Sequence, residues 1–397
     1  MQLTEIFAKD VQRPIEGVIK ADDVAHLGTE VDEYVLTNEA AKGVELLLEE
    51  YTNYTNANGV WISGFFGSGK SHLLKMLAHL LGDVEGNVFP RNRVLESFRT
   101  KATDAFLPPL LDKVERIPAK SLLFNIDQKA TLISKDQTDA LLRVFVKVFD
   151  ESRGYYGDQG HIARFECQLD DEGQLDAFKD AFREVSGREW VERRPSFGLP
   201  TVRRQVNEAY AQITGLDATT APDILKTYQD TYSVSIEDFA EEVCAWLDKQ
   251  PVGYRLNFFV DEVGQFIGSN TQLMLNLQTI AESLNTKCGG RAWLFVTSQE
   301  DIDKVVGDRS KQQGNDFSKI QARFKTRVKL TSADVEEVIR KRLLEKNGKG
   351  AQMLGAVYAQ ESANFKTLFD FVDGAKTYRN FTDKARFVGT YPFVSYQ

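Results

Sequence analysis

The sequence predicts an α/β fold in which helices cover both faces of a parallel sheet. Three observations support this prediction. Short apolar runs alternate with amphipathic helical patterns from about residue 59 to residue 330, as in repeated strand–helix units. A glycine-rich turn joins the first apolar run to a leucine-rich helix, and a later apolar run ends in two acidic residues. The expected core is therefore a sheet whose strands are buried on both sides.

The N-terminal part predicts a leading segment followed by the first strand and its helix. Residues 1–36 are interpreted as a short segment that decorates the core. Residues 38–52 carry apolar side chains at the i, i+3, i+4, i+7 spacing of an amphipathic helix. The apolar run at 59–63 predicts a buried strand. Leucines on one face of 72–81 predict a helix that ends at the following glycine.

The middle of the chain interrupts this alternation. Residues 83–118 show no clear period and contain four prolines. A second strand is predicted at 121–127 and a helix at 136–150. From about 151 to 233, charged helical patterns replace the strand signals, so this stretch is interpreted as a helical insertion.

The alternation returns after the insertion, beginning with an amphipathic helix at 235–249. The sequence TSAD at 331–334 is a capping-box pattern that begins a helical C-terminal part. We expect a core over 37–330 and the start of a helical lid over 331–397. The remaining strands are predicted at 255–262, 291–299 and 326–330, with helices near 271–286 and 315–324.

Composition limits the class of protein. The chain has 397 residues, with 42% hydrophobic and 27% charged residues, which is ordinary for a soluble globular protein of two or three domains. A net charge of −9 argues against nucleic acid coating the whole surface but leaves room for a local basic patch. The three separated cysteines exclude a disulfide framework and suit a reducing cytoplasm. No apolar run is long enough to span a membrane, and no signal peptide is recognisable.

The turn after the first strand has the pattern of a phosphate-binding loop. GFFGSGKS fits G-x-x-x-x-G-K-[ST] between a predicted strand and a predicted helix, which is the context that supports such a match. Glycines let successive N–H groups point at phosphate oxygens, Lys70 should reach the β- and γ-phosphates of ATP, and the Ser71 hydroxyl should ligate Mg²⁺. The alternative is a tight turn with an incidental lysine. The predicted nucleotide-contacting residues are Gly64, Phe65, Phe66, Gly67, Ser68, Gly69, Lys70, Ser71 and His72.

Acidic and polar residues end two later strands. Asp261 would hold Mg²⁺, and the adjacent Glu262 could polarise the attacking water. Acids often end strands, so this pattern is informative only together with the phosphate loop. The run Thr297, Ser298 and Gln299 ends the next strand, and Ser298 and Gln299 are the favoured contacts to the γ-phosphate or the lytic water. The alternative is ordinary strand-end polarity.

These features resemble the additional-strand, catalytic-glutamate branch of P-loop NTPases, which implies the sheet order 5-1-4-3-2. An NKxD-type base reader, which a GTPase would need, is not seen. In the AAA+ members of this branch, an arginine before the last strand reaches the γ-phosphate bound by a neighbouring subunit. Arg323 is the better match and Arg327 the weaker one, and the alternative is a surface arginine paired with an acid.

The insertion contains a concentration of arginines around one tryptophan. Such a group could grip phosphates and stack a base. The alternative is a solvated helix face with Trp190 in a small core, because Glu189 and Glu192 dilute the positive charge. The four histidines of the chain show no metal-ligand spacing. The arginines concerned are Arg188, Arg193, Arg194, Arg203 and Arg204.

Several longer stretches together resemble the BrxC/PglY family of P-loop ATPases from BREX phage-defence systems. They are RPIEGVIKADD, WISGFFGSGKSHLLKML, LLFNIDQKA, FFVDEVGQFIG, FVTSQE and SKIQARF. The resemblance runs from the first residues to the last, more loosely over 151–233. It implies a large cytoplasmic ATPase of AAA+ character that acts with a DNA methyltransferase and other BREX proteins, and it allows direct contact with DNA.

Members of that family run to well over a thousand residues, so we expect this chain to be an N-terminal piece with an incomplete lid. A lid arginine that senses nucleotide cannot be chosen among Arg340, Arg342 and Arg386. Three functions stay open: an ATP-driven remodeller that works as a homo-oligomer, a nucleotide-gated scaffold with little turnover, and a nucleic-acid-binding module with a vestigial NTPase fold. Glu262 favours hydrolysis among these.

Overall fold

The computed structural model describes residues 3–13, 23–86, 89–131, 133–134, 137–217, 223–268, 270–299, 323–368 and 381–393. The predicted helix near 315–324 and the motif SKIQARF therefore lie mostly outside the described residues. The strands are β1 Gly59–Ser63, β2 Asp83–Val84, β3 Ala119–Asn125, β4 Arg255–Asp261, β5 Ala292–Ser298 and β6 Thr326–Lys329. The helices before β4 are α1 Leu27–Glu33, α2 Asn38–Thr52, α3 Lys70–Leu81, α4 Arg91–Lys101, α5 Leu107–Glu115, α6 Ile126–Lys129, α7 Ala140–Ser152, α8 Gly160–Asp171, α9 Leu175–Ser186, α10 Trp190–Arg193, α11 Pro200–Thr214, α12 Ile224–Thr231 and α13 Ile236–Asp248. The helices after β4 are α14 Val263–Ile267, α15 Thr271–Cys288, α16 Ser332–Arg342, α17 Gly348–Leu368 and α18 Lys384–Thr390.

One sheet of six strands forms the centre of the fold, and every described pairing in it is parallel. The strand order is β6-β1-β5-β4-β3-β2, which differs from the predicted five-stranded order 5-1-4-3-2. The difference is β2, a two-residue strand that pairs with β3 at the edge of the sheet. So short a strand has no hydrophobic period of its own, and only its position beside β3 makes it part of the sheet.

Alternate residues of the strands supply two apolar cores, one on each face of the sheet. In β4, Phe259 packs into the core formed with α2 to α5, whereas Phe258 and Val260 pack into the core formed with α7, α13 and α15. In β5, Phe295 stacks on Phe259 with ring centroids 4.2 Å apart. Strands β1, β4 and β5 are buried along nearly their whole length, because both faces of the sheet are covered there.

Helices α4 and α5 lie in the stretch that showed no clear period. Pro108 stands in the first turn of α5, where a proline removes no helical hydrogen bond. One face of α4, with Val94, Leu95 and Phe98, is buried in the core formed with α2 to α5. The prolines therefore mark helix starts and turns in this stretch, and they do not exclude helices from it.

The insertion forms an apolar cluster of its own. Helices α8 to α12 contribute Phe165, Phe178, Phe182 and Trp190, all fully buried. The Trp190 indole Nε1 donates a hydrogen bond to Glu166 Oε1 at 2.7 Å. Trp190 is therefore a core residue of the insertion, as the second interpretation of the arginine-rich stretch proposed.

The N-terminal segment and the lid are joined. Phe7 forms an antiparallel bridge with Lys346, and the Ala8 N–H donates to the Glu345 carbonyl at 2.8 Å. Ile6 packs in one apolar cluster with α17 and α18. The first described residues are therefore part of the lid, which a boundary at residue 36 did not anticipate.

Helix α1 connects the N-terminal part to the helix of the phosphate loop. Lys75 on α3 is fully buried and forms an ion pair with Glu30 on α1, with 2.6 Å between Nζ and Oε2. Lys75 also donates to the Asp23 carbonyl.

The described helices include none that is both long enough and apolar enough to cross a membrane.

Candidate nucleotide-binding site

The phosphate loop lies between β1 and α3, and its glycines are needed for two different reasons. Gly67 and Gly69 have φ values of 79° and 89°, in the left-handed region that favours glycine. Gly64 has no such conformation, but a Cβ on it would lie 2.5 Å from Ser68 Oγ and 2.9 Å from the Leu330 carbonyl. The loop thus needs glycine for backbone conformation at two positions and for space at the third.

Lys70 folds back over this loop. Its Nζ donates hydrogen bonds to the Gly64 and Phe65 carbonyls at 2.8 and 2.9 Å. Burial lowers the pKa of Lys70, and the negative charges of Asp261 and Glu262 oppose part of that effect. The ammonium is therefore held at the inside of the loop, beside the carboxylates, where an anion would relieve its desolvation.

Ser68 supplies a second sign that the loop suits a polar ligand. Its Oγ is buried and makes no hydrogen bond to any described residue. Buried hydroxyls normally have a partner. The first-turn N–H groups of α3, which has 12 residues, lie next to it and favour negative charge. An unsatisfied hydroxyl at a helix N-terminus fits the phosphate contacts that the sequence predicted.

Asp261 and Glu262 stand at the end of β4 in a tight set of hydrogen bonds. Thr297 Oγ1 donates to Asp261 Oδ1 at 2.6 Å, and the Glu262 N–H donates to Thr297 Oγ1 at 2.8 Å and to Asp261 Oδ1 at 3.1 Å. Both of these contacts on Asp261 are made by its Oδ1. Glu262 has a φ of 64°, a strained conformation for a residue with a Cβ.

The polar residues at the end of β5 are divided among different surroundings. Thr297 contacts the acidic pair, whereas Ser298 is buried with its Oγ 2.1 Å from where a Cβ on Gly264 would lie. Gln299 is exposed at the edge of the cavity. The structure thus brings Thr297 to Asp261 and leaves Ser298 and Gln299, the two favoured residues, at the cavity wall.

Asn125 is a site residue that sequence reasoning missed. It ends β3 in register with Asp261, and its Nδ2 donates to Glu262 Oε2 at 2.8 Å. Its Oδ1 accepts from the Asp127 and Gln128 N–H groups and so caps α6. The available signal was a polar residue directly after the apolar residues 122–124, within the predicted strand 121–127.

These groups line one cavity of about 540 Å³, a size typical of small-molecule sites. The phosphate loop, the ends of β4 and β5, the α1–α2 connection and α16 all contribute to it. Its lining also includes the apolar residues Tyr34, Val35, Val335 and Val338. The cavity therefore combines a polar cradle with apolar surface.

His72 and Arg342 also line this cavity. Burial, together with the charge of Arg342, lowers the pKa of His72 to about 3, so this imidazole is neutral. The Tyr34 ring packs edge-on against it with centroids 4.8 Å apart. Of the three lid arginines that the sequence left open, Arg342 is the one that lines the cavity.

Ser71 and Asp261 both line the cavity and are suitable Mg²⁺ ligands, since Mg²⁺ is commonly held by one or two protein oxygens plus phosphates and water. Among the described residues, no group of three or more His, Cys, Asp or Glu could hold a metal ion by itself. The donor set fits a metal that arrives with a polyphosphate.

Arg323 lies away from this cavity. Its Nη2 forms an ion pair with Glu282 Oε1 on α15 at 3.0 Å. Its carbonyl lies 2.6 Å from where a Cβ on Gly59 would be, at the amino end of β1, whereas the phosphate loop follows the carboxyl end of that strand. Within one chain Arg323 is not part of the site.

The arginines of the insertion also lie apart from the cavity, and three of them are paired with acids. Arg194 lies 2.9 Å from Glu166, Arg203 lies 2.8 Å from Asp223, and Arg204 lies 3.5 Å from Glu208. With Trp190 buried, this stretch lacks the exposed aromatic ring that base stacking needs.

Comparisons with known proteins add no name to this geometry. No model of a protein family matches the chain. No solved structure matches it at a significant level.

Proposed function

We propose that this chain binds Mg-ATP in the cavity and hydrolyses it. The observation that carries the proposal is the meeting of two features in one cavity. The loop of positive-φ glycines holds Lys70 beside the carboxylates of Asp261 and Glu262. A phosphate cradle explains the glycines and the lysine, and metal-assisted hydrolysis explains the acidic pair.

Each residue has a role in this proposal. The N–H groups of the loop bind phosphate oxygens, and Lys70 leaves the Gly64 and Phe65 carbonyls to neutralise the β- and γ-phosphates. Ser71 and Asp261 hold Mg²⁺, which supplies positive charge against the phosphates. Glu262 accepts a proton from the attacking water, and Asn125 holds its carboxylate through the contact at 2.8 Å.

The AAA+ assignment and the role of Arg323 belong to the same proposal. Arg323 lies at the opposite end of β1 from its own cavity, so it can act only on a site of another subunit. In a homo-oligomer its guanidinium would exchange Glu282 for the γ-phosphate of the neighbour, adding positive charge where the transition state needs it. Turnover per chain would then rise with protein concentration.

The cellular role we propose is that of an ATPase in a BREX-type phage-defence system. It rests on the sequence stretches quoted above. The proposed setting is cytoplasmic, with a DNA methyltransferase and other BREX proteins as partners, and possible partners include DNA. The described cysteines are all free thiols, which suits a reducing compartment.

The direct test measures ATP binding and turnover in the wild type and in Glu262→Gln. We expect the variant to bind Mg-ATP about as well as the wild type and to lose about 100-fold or more in turnover, since it removes the general base. Glu241→Gln, on an exposed glutamate of α13, is the matched control and should keep full activity. Equal turnover in Glu262→Gln would remove Glu262 from the mechanism, and an inability of the wild type to bind ATP would refute the proposal.

A second series tests the action of Arg323 on a neighbouring subunit. Turnover per chain is measured against protein concentration for the wild type, Arg323→Ala and Glu282→Gln. Both variants lose the 3.0 Å ion pair, but only Arg323→Ala loses the guanidinium. We expect rising turnover in the wild type and in Glu282→Gln, and low turnover in Arg323→Ala. Equal losses in both variants would show that the ion pair matters only for folding.

A further inference from the structure

Glu33 lies between two arginines at the edge of the cavity. Its Oε1 accepts a hydrogen bond from Arg13 Nε at 2.8 Å, and its Oε2 accepts from Arg342 Nε and Nη2 at 2.8 and 2.7 Å. Arg13 Nη2 also donates to the Arg342 carbonyl at 2.7 Å. The three side chains are between 13% and 18% exposed, so this cluster is shielded from water more than a surface ion pair is.

The cluster holds one more cation than Glu33 needs. Glu33 and Arg342 line the cavity, whereas Arg13 does not. If Arg342 moved away, Arg13 would still neutralise Glu33, and no buried charge would be left unpaired. Because Arg13 remains as a partner of Glu33, the free-energy cost of moving Arg342 away is small.

Arg342 also stands close to where phosphates would bind. It lines the same cavity as Lys70 and Ser71 of the phosphate loop. A guanidinium that binds a carboxylate through two nitrogens binds a phosphate in the same way. Glu33 and a phosphate group are therefore alternative partners for the same side chain.

We propose that Glu33 is an internal competitor for Arg342. It holds the guanidinium while no anion fills the cavity, and a phosphate group of the nucleotide takes it over. Arg13 sets the strength of this competition, because its charge weakens the hold of Glu33 on Arg342. The inference rests on the proposed function, since it requires a nucleotide in the cavity.

The link to Arg13 gives the N-terminal segment a part in nucleotide affinity. Arg13 follows the stretch in which Ala8 and Phe7 pair with the lid at Glu345 and Lys346. The segment that closes on the lid thus also carries the charge that neutralises Glu33. Substitutions in this segment, which is distant in sequence from the phosphate loop, should therefore alter the affinity of the cavity for phosphates.

The test measures the affinity of the 397-residue chain for Mg-ADP, with adenosine as a probe that lacks phosphate. By isothermal titration calorimetry, we expect Glu33→Gln to tighten ADP binding about three- to tenfold and Arg13→Gln to weaken it by a similar factor. Arg342→Gln should weaken it about tenfold. Adenosine affinity should stay within about twofold in Glu33→Gln, because the competition concerns phosphate alone.

A double-mutant cycle separates competition from a general field effect. In the Arg342→Gln background, adding Glu33→Gln or Arg13→Gln should no longer change ADP affinity. If both changes act as strongly there as in the wild type, the charges act through space and the proposal is wrong. Weaker ADP binding in both single variants would mean that the cluster only supports the lid. If the wild type bound adenosine and ADP equally, the inference would fail while a nucleoside site remained; binding of neither would overturn the proposed function as well.

Discussion

Replacing Thr297 by valine tests how the acidic end of β4 is held. The Thr297 side chain is buried, and its hydroxyl donates to Asp261 Oδ1 at 2.6 Å and accepts from the Glu262 N–H at 2.8 Å. A hydrogen bond to a charged group contributes about 1.5–3 kcal/mol. In the valine variant the Glu262 N–H would keep its hydrogen bond to Asp261 Oδ1 at 3.1 Å. Losing Thr297 as an acceptor for this N–H therefore costs little stability. Because valine fills the same volume, we expect the free energy of unfolding to fall by about 2 kcal/mol.

Urea denaturation followed by tryptophan fluorescence measures this loss. Trp61 and Trp293 are fully buried in the strands next to the site, so their emission reports on unfolding of the sheet. Thr297→Ser is the matched control. It keeps the hydroxyl and loses one buried methyl group, worth about 0.8 kcal/mol. A valine variant as stable as the wild type, or more stable than the serine variant, would refute this account of Asp261.

Three further predictions concern the packing around the site. Lys75→Met breaks the buried ion pair between α3 and α1, so we expect the free energy of unfolding to fall by about 3–5 kcal/mol; a loss below about 1 kcal/mol in urea denaturation would contradict this. Burial and the nearby charge of Lys75 lower the pKa of His79 to about 4 from 6.5. The unfolded chain therefore binds the proton first, and stability falls as the pH drops from about 6.5 to about 4. His79→Met should make this decline shallower, which urea denaturation at several pH values checks; an unchanged slope would exclude His79 as its source. A Cβ on Gly264 would lie 2.1 Å from Ser298 Oγ, whereas one on Gly198 would meet nothing within 4 Å. Gly264→Ala should therefore cost about 1–3 kcal/mol and Gly198→Ala less than about 0.5, and equal melting temperatures would contradict the predicted clash.

Local sequence patterns predicted several helices of the fold and one helix cap. The helices predicted at 38–52 and 235–249 are present as Asn38–Thr52 and Ile236–Asp248, because their apolar spacing matches the helical period. The cap predicted at 331–334 is also present, with Asp334 accepting from the Thr331 N–H at 2.6 Å. Such features depend on residues a few positions apart, so a single stretch of sequence contains all the information.

Patterns failed where an element depends on its neighbours. Strand β2 has two residues and exists only through pairing with β3. Helices α4 and α5 each bury one face in the core formed with α2 to α5. Prolines near the ends of these helices obscured the helical spacing of their apolar residues. The place of the N-terminal residues on the lid has no local signal, because Phe7 and its partner Lys346 are far apart in sequence.

The sequence by itself determined the glycine-rich loop and the acidic pair as candidate site residues, since the two motifs occupy eight consecutive residues and two adjacent ones. Only the tertiary structure decided which atoms meet. Thr297 reaches Asp261 across 36 residues, Asn125 reaches Glu262 across 137, and Glu33 reaches Arg342 across 309. The physical reason is strand register and helix docking. A shift of one residue along a strand turns its side chains to the opposite face, so strand pairing and packing decide that Thr297, rather than Ser298 or Gln299, reaches Asp261.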